Sequence, residues 1–108
     1  MAYDRGLAQI LREALDGSLT VEKKMMGGLC FMAGGHMVCG VHIHGAMFRV
    51  GKPNYDRALA IPGVRPMTFT GRPMSGFVDV SDETCADDRL RGELLAMAQD
   101  FIRSLPPK

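Results

Sequence analysis

Net charge is nearly absent from this chain: 13 basic residues stand against 12 acidic ones, leaving +1 at pH 7. A domain that holds nucleic acid by its phosphates needs a strong basic excess, so this balance disfavours direct nucleic-acid binding. Long apolar runs are also missing. No stretch approaches the ~20 residues of a membrane-spanning helix, and the N-terminus lacks the basic, apolar, small-residue order of a secretion signal. Cysteine is scarce, an odd three residues without zinc-ligand spacing, which fits a reducing compartment. The expectation is a cytoplasmic protein with no membrane contact. Hydrolytic signatures are lacking too: there is no G-x-S-x-G, and no serine or cysteine stands beside a histidine in a recognisable frame. Neither glycine pair, Gly27-Gly28 or Gly34-Gly35, opens a helix, so neither is a phosphate cradle. Internal repeats, low-complexity tracts and linkers are absent. No catalytic residue, metal or cofactor is expected.

What remains is an ordinary globular composition, 46% hydrophobic and 23% charged, over 108 residues. That length supports one core and one domain, residues 1–108. Residues 4–16 have the clearest helical period: Leu7, Ile10, Leu11, Ala14 and Leu15 repeat at i, i+3, i+4, i+7 and i+8 behind a capping Asp4. Gly17 ends that helix. Thr20 to Met25 reads as a strand, followed by a bend or bulge at Gly27-Gly28. A short helix is predicted over Asn54 to Ala60. Met67 to Thr70, bracketed by Pro66 and Pro73, reads as an edge strand, and Ser75 to Val80 as the last strand. Ser81 to Asp88 is polar and rich in capping residues. The closing helix, Asp88 to Ser104, carries Leu90, Leu94, Met97, Ala98, Phe101 and Leu105 on one stripe, and Pro106-Pro107 stops it. The fold class is α+β: a two-layer sandwich of five to six antiparallel strands with N- and C-terminal helices and a short middle helix.

Lys24 to Val50 is the stretch around which this is organised, three short strands folded on each other. A two-residue turn at Gly34-Gly35 would set Ala33 opposite His36, Met32 opposite Met37, Phe31 opposite Val38 and Cys30 opposite Cys39. One face then carries Cys30, Met32, Met37, Cys39, Val41 and Ile43, joined after a turn at His44-Gly45 by Ala46, Phe48 and Val50. This wholly apolar face is the expected core. The other holds Leu29, Phe31, His36, Val38, Gly40, His42, His44, Met47 and Arg49, and is mixed. Since a one-residue slip exchanges the faces, the assignment depends on the two turns.

Histidines at 36, 42 and 44 fall on one face in this register, and i, i+2 histidines can converge on a metal. No carboxylate or thiol stands beside them, and His36 lies ~20 Å from His42 at about 3.3 Å per residue. Solvent-facing or interface histidines are the better reading. Cys30 and Cys39, opposed across the hairpin, could form a strained reversible disulfide, but on a core face packing is favoured. Cys85 has no partner. The apolar surplus of Leu29, Phe31, Val38 and Met47 on the mixed face needs covering. Either a helix crosses to it, or it is a surface for self-association or a protein partner. That face, with Phe31, His42, His44, Met47, Arg49 and Arg72, is the candidate interaction surface and a homodimer the expected state. Alternatively, His42, His44 and Arg49, with Arg72, bind an anion or small molecule.

In sequence, the chain resembles the N-terminal domain of the TfoX/Sxy family, bacterial proteins tied to regulation of competence for DNA uptake. The segments that carry the resemblance are MAYDRGLAQILREAL, KKMMGGLCFM with GGHMVCGV, FRVG at 48–51, RPMTFTGRPMSGFV at 65–78 and the terminal SLPPK. They span essentially the whole chain in order; Met26 stands where the family pattern usually has phenylalanine. The resemblance implies a two-layer domain with an antiparallel sheet, a regulatory role through protein contacts, and no established catalytic residues. Full-length members add a C-terminal helical domain, so this chain is expected to be a stand-alone version of the N-terminal one.

Overall fold

The computed structural model describes residues 3–25, 27–69 and 71–106, without the side chain of Phe69. Helix α1 runs Arg5–Ala14, and its cap is the expected one: the Asp4 carboxylate accepts from the backbone N–H groups of Gly6 and Leu7. Six strands follow: β1 (Val21–Met25), β2 (Gly28–Ala33), β3 (His36–His42), β4 (Gly45–Arg49), β5 (Val64–Phe69) and β6 (Arg72–Val80). They form one antiparallel sheet in the order β1-β2-β3-β4-β6-β5. The expected two-layer α+β architecture is observed, with β5 at an edge. Pro66 lies within that edge strand and Pro73 lies where β6 has β5 as its only neighbour, so neither removes a needed ladder bond. Helix α2 (Tyr55–Leu59) links the two parts of the sheet, and α4 (Asp88–Arg103) closes the chain. The polar run after β6 folds into a further short helix, α3 (Asp82–Ala86), capped by the Ser81 hydroxyl on the Thr84 N–H. Five residues are too few for a periodic apolar stripe, so only its cap was legible.

The central hairpin departs from the expected register after its first two pairs. Gly34 and Gly35 take φ of 59° and 84°, the turn that two-residue loops favour. Ala33 and Met32 face His36 and Met37, but Phe31 then faces Cys39, and Cys30 faces Gly40. Val38 is the extra residue of a β-bulge. The bulge places both Val38 and Cys39 in the core beneath the helices. It also sets Gly40 where a Cβ would come within 2.5 Å of the Leu29 carbonyl oxygen and 3.0 Å of the Met47 methyl.

This bulge corrects the face assignments. Leu29, Phe31 and Val38 are helix-side core, packed with Leu7, Leu11, Leu94, Ala98 and other residues of α1 and α4. Cys30, Met32 and Met37 belong to the opposite face. Cys39, Val41, Ala46, Phe48 and Val50 are core as expected. The second turn centres on Ile43-His44, one residue earlier than expected, and leaves Ile43 exposed rather than in the core. Across the sheet from the helices, Cys30, Met37, Met47 and Met67 form a second buried cluster flanked by Met25, Met32 and Phe77. Among the described residues this cluster is built from strands alone, with the adaptable thioether side chains covering one another.

Candidate functional site

Two polar groups lie at opposite ends of β4, one on its neighbours β3 and β6 and one on β4 itself, and the two are separate sites. At one end, His42 lies opposite Gly45 on the face away from the helices. Its Nε2–H donates to Asp79 Oδ1 at 2.9 Å, and its Nδ1 accepts from the His44 backbone N–H at 3.1 Å. The backbone bond leaves Nδ1 without a proton and so fixes the tautomer. With both ring nitrogens used, His42 has no lone pair to offer a metal. Among the described residues no group of three or more His, Cys, Asp or Glu side chains is arranged to hold an ion. His44 sits in the turn, its ring edge-on to His42 at 5.6 Å between centroids.

His36 does not join them. The bulge rotates it to the helix side, where its Nε2–H donates to the Pro106 carbonyl at 2.8 Å and ties the start of β3 to the chain after α4. The row of three histidines is thereby broken up, two remaining near the β3–β4 turn and one serving as a tether.

At the other end of β4 is Arg49, four residues from Gly45 and so about 13 Å along the strand. Its guanidinium carbon lies 5.5 Å from the centre of the Phe77 ring and 5.3 Å from that of Phe101. Both distances are within cation–π range. None of the ion pairs among the described residues includes Arg49. Arg72 starts β6 at the tip of the β5–β6 hairpin, exposed and five residues from Phe77. Met47 is fully buried in the methionine cluster, and Phe31 lies on the other side of the sheet. Of the six residues that the sequence groups, His42 and His44 pack together, Met47 and Arg49 share the outer face of β4, and Phe31 and Arg72 stand apart. What sequence reading missed is the aromatic pair around Arg49, contributed by β6 and α4.

The cysteines are placed for packing. Cys39 and Cys30 point to opposite sides of the sheet, so no disulfide can join them without moving backbone. Burial pushes the Cys39 thiol far up and raises that of Cys30 as well. Cys85, also buried, is pushed up to about 11, against the lowering influence of Arg91. None of the three is set up as a nucleophile.

Apart from Ile43 in the β3–β4 turn, the exposed large apolar side chains among the described residues lie elsewhere. Leu19 is 96% and Val21 68% exposed, beside edge strand β1. A cavity of about 350 Å³ opens next to them, lined by Leu19, Ala33, Val38 and Ile102 among others. No helix among the described residues is long and apolar enough to cross a membrane. Neither a curated protein nor a solved structure matches this chain. The model of the TfoX N-terminal domain family matches residues 7–102, nearly the whole sequence, and the chain therefore belongs to that family.

Proposed function

We propose that this domain is a non-enzymatic regulatory or adaptor module of the kind found in TfoX/Sxy competence regulators, working in the cytoplasm through protein contacts. Family membership supports the regulatory reading. The observation that carries the contact is edge strand β1 with its exposed Leu19 and Val21. An unpaired strand edge is a template for another strand, and the sequence of β1, VEKKM, suits a second copy of itself. In an antiparallel pairing centred on Lys23, Val21 meets Met25 and Glu22 meets Lys24, each twice by symmetry. The two Lys23 residues meet at the axis, where solvent screens their repulsion. This homodimer replaces the one expected from the outer sheet face. That face loses its support because Phe31, Leu29 and Val38 are covered by the protein's own helices.

Light scattering at about 10 µM and about 1 mM tests the reading across the range of a weak, concentration-dependent contact. The expected wild-type mass rises from one chain toward two, whereas Leu19→Asp combined with Val21→Lys holds at one chain throughout. Both positions face solvent, so the variant keeps its fold. A wild-type mass of one chain at the higher concentration would remove the β1 contact.

A further inference from the structure

The Arg49 end of β4 opens onto a cavity of about 310 Å³ lined by Arg49, Lys52, Pro53, Ser75, Phe77 and Phe101, with Gly51 and Gly76 completing it. Four elements build it: β4 supplies Arg49, β6 supplies Phe77, α4 supplies Phe101, and the 3-10 turn Lys52–Asn54 supplies Lys52 and Pro53. Glycine is required at two positions of its wall. Gly51 has φ of 85°, and a Cβ there would fall 2.3 Å from a carbon of the Phe101 ring. Gly76 has φ of 88°, and its Cβ would crowd the Gly51 and Lys52 backbone at 3.2 Å. The two glycines are joined by a hydrogen bond from the Gly51 N–H to the Gly76 carbonyl. Asn54 braces the same corner, donating to the carbonyls of Val50 and Met97. The cavity wall is thus fixed by backbone close approach and by bonds between elements.

Its chemistry has two parts. Phe77, Phe101 and Pro53 offer apolar surface. Arg49 and Lys52 offer positive charge, and no carboxylate is among the lining residues. A cation–π contact holds the guanidinium by its charge but leaves its N–H donors unspent. Those donors match the two oxygens of a carboxylate in a planar, bidentate arrangement. A small pocket of this size with apolar walls and a few convergent polar groups is the usual form of a ligand site.

We propose that this cavity binds a small organic monocarboxylate, its oxygens on the Arg49 guanidinium with Lys52 nearby and its apolar body against Phe77, Phe101 and Pro53. The site stands apart from β1 and does not depend on dimer formation.

Phenylacetate and octanoate are the probes, titrated up to about 10 mM while backbone amide resonances are followed by NMR. Saturable shifts confined to Gly51, Lys52, Ser75, Gly76 and Phe77 are expected with at least one of them. The matched neutral amides, phenylacetamide and octanamide, should bind at least about tenfold more weakly, since they cannot form the charge-assisted pair. Inorganic phosphate, lacking the apolar body, should shift these amides only weakly. Arg49→Lys keeps the positive charge over the rings but removes the planar fork, and should weaken carboxylate binding several-fold with the wild-type spectrum otherwise preserved. Lys52→Gln, at an exposed position, gives a second and smaller loss that does not touch the packing of Arg49. The proposal is overturned if neither carboxylate produces saturable shifts at these amides. It also fails if the neutral amides bind equally well, or if both variants bind carboxylate as tightly as wild type.

Discussion

Phe31 of β2 lies directly opposite Cys39 of β3, and both side chains enter the core beneath the helices, 1% and 0% exposed. A carboxylate at position 31 would be buried without a partner, in a domain whose whole stability is on the order of 5–15 kcal/mol. Phe31→Asp is therefore expected to abolish folding, and Phe31→Ala to cost about 3–5 kcal/mol. Circular dichroism and urea unfolding check both. A folded, soluble Phe31→Asp protein would mean that Phe31 does not occupy the core.

The His42–Asp79 pair is about one-eighth exposed on each side chain, so its hydrogen bond is largely shielded from water. Asp79→Ala leaves the Nε2–H without its acceptor and should destabilise the fold by about 1–3 kcal/mol. Asp79→Asn keeps an acceptor oxygen and should cost less. A double-mutant cycle with His42→Ala is expected to show coupling of roughly 0.5–3 kcal/mol. Additive losses would show that the two side chains are not linked.

Thiol accessibility gives a third check. All three cysteines are buried and free, and burial raises each thiol above its ordinary value. In native protein near neutral pH they should resist alkylation, becoming reactive together as the chain unfolds. Mild oxidation should create no Cys30–Cys39 crosslink, which intact mass and peptide mapping would reveal.

Arg12 holds Glu22 through two hydrogen bonds, Nε to Oε2 at 2.6 Å and Nη2 to Oε1 at 2.8 Å, clamping α1 to edge strand β1. These bonds hold the Glu22 carboxyl below its ordinary 4.5. Because the folded value is the lower one, the contribution is fully present above the unfolded value and disappears as pH falls through the folded one. Unfolding curves of wild type and Glu22→Gln should thus differ by a small constant amount above about pH 5 and converge in more acidic solution. A gap that persists well below pH 4.5 would assign the effect to something other than this carboxylate.

The parts of the fold legible in the sequence are those set by local chemistry. Asp4 and Gly17 bound a helix because of what a cap and a left-handed residue do, and Gly34-Gly35 makes its turn for the same reason. The edge position of β5 follows from proline. The Val38 bulge is of another kind: an extra residue can be accommodated almost anywhere along a strand. Its place is decided by how Gly40, Met47 and Leu29 pack across neighbouring strands. That one residue exchanges Leu29, Phe31 and Val38 with Cys30, Met32 and Met37, and with them the expected interaction surface. The same limit hid the Arg49 site, whose two aromatic neighbours come from distant segments while the histidines grouped with it lie at the far end of β4.

Strand order also bears on how the chain assembles in time. β1 to β4 form a meander of successive hairpins, and β5 and β6 form another hairpin, so each half can zip from nearby residues. The halves meet along a single junction, where Ala46–Arg49 of β4 lines up with Val80–Phe77 of β6. Closing it requires the intervening chain to loop back, an entropic cost that neighbouring hairpins do not meet. Folding speed should accordingly hinge on the Phe48–Val78 pair at this junction, while weakening the outer hairpins mainly hastens unfolding.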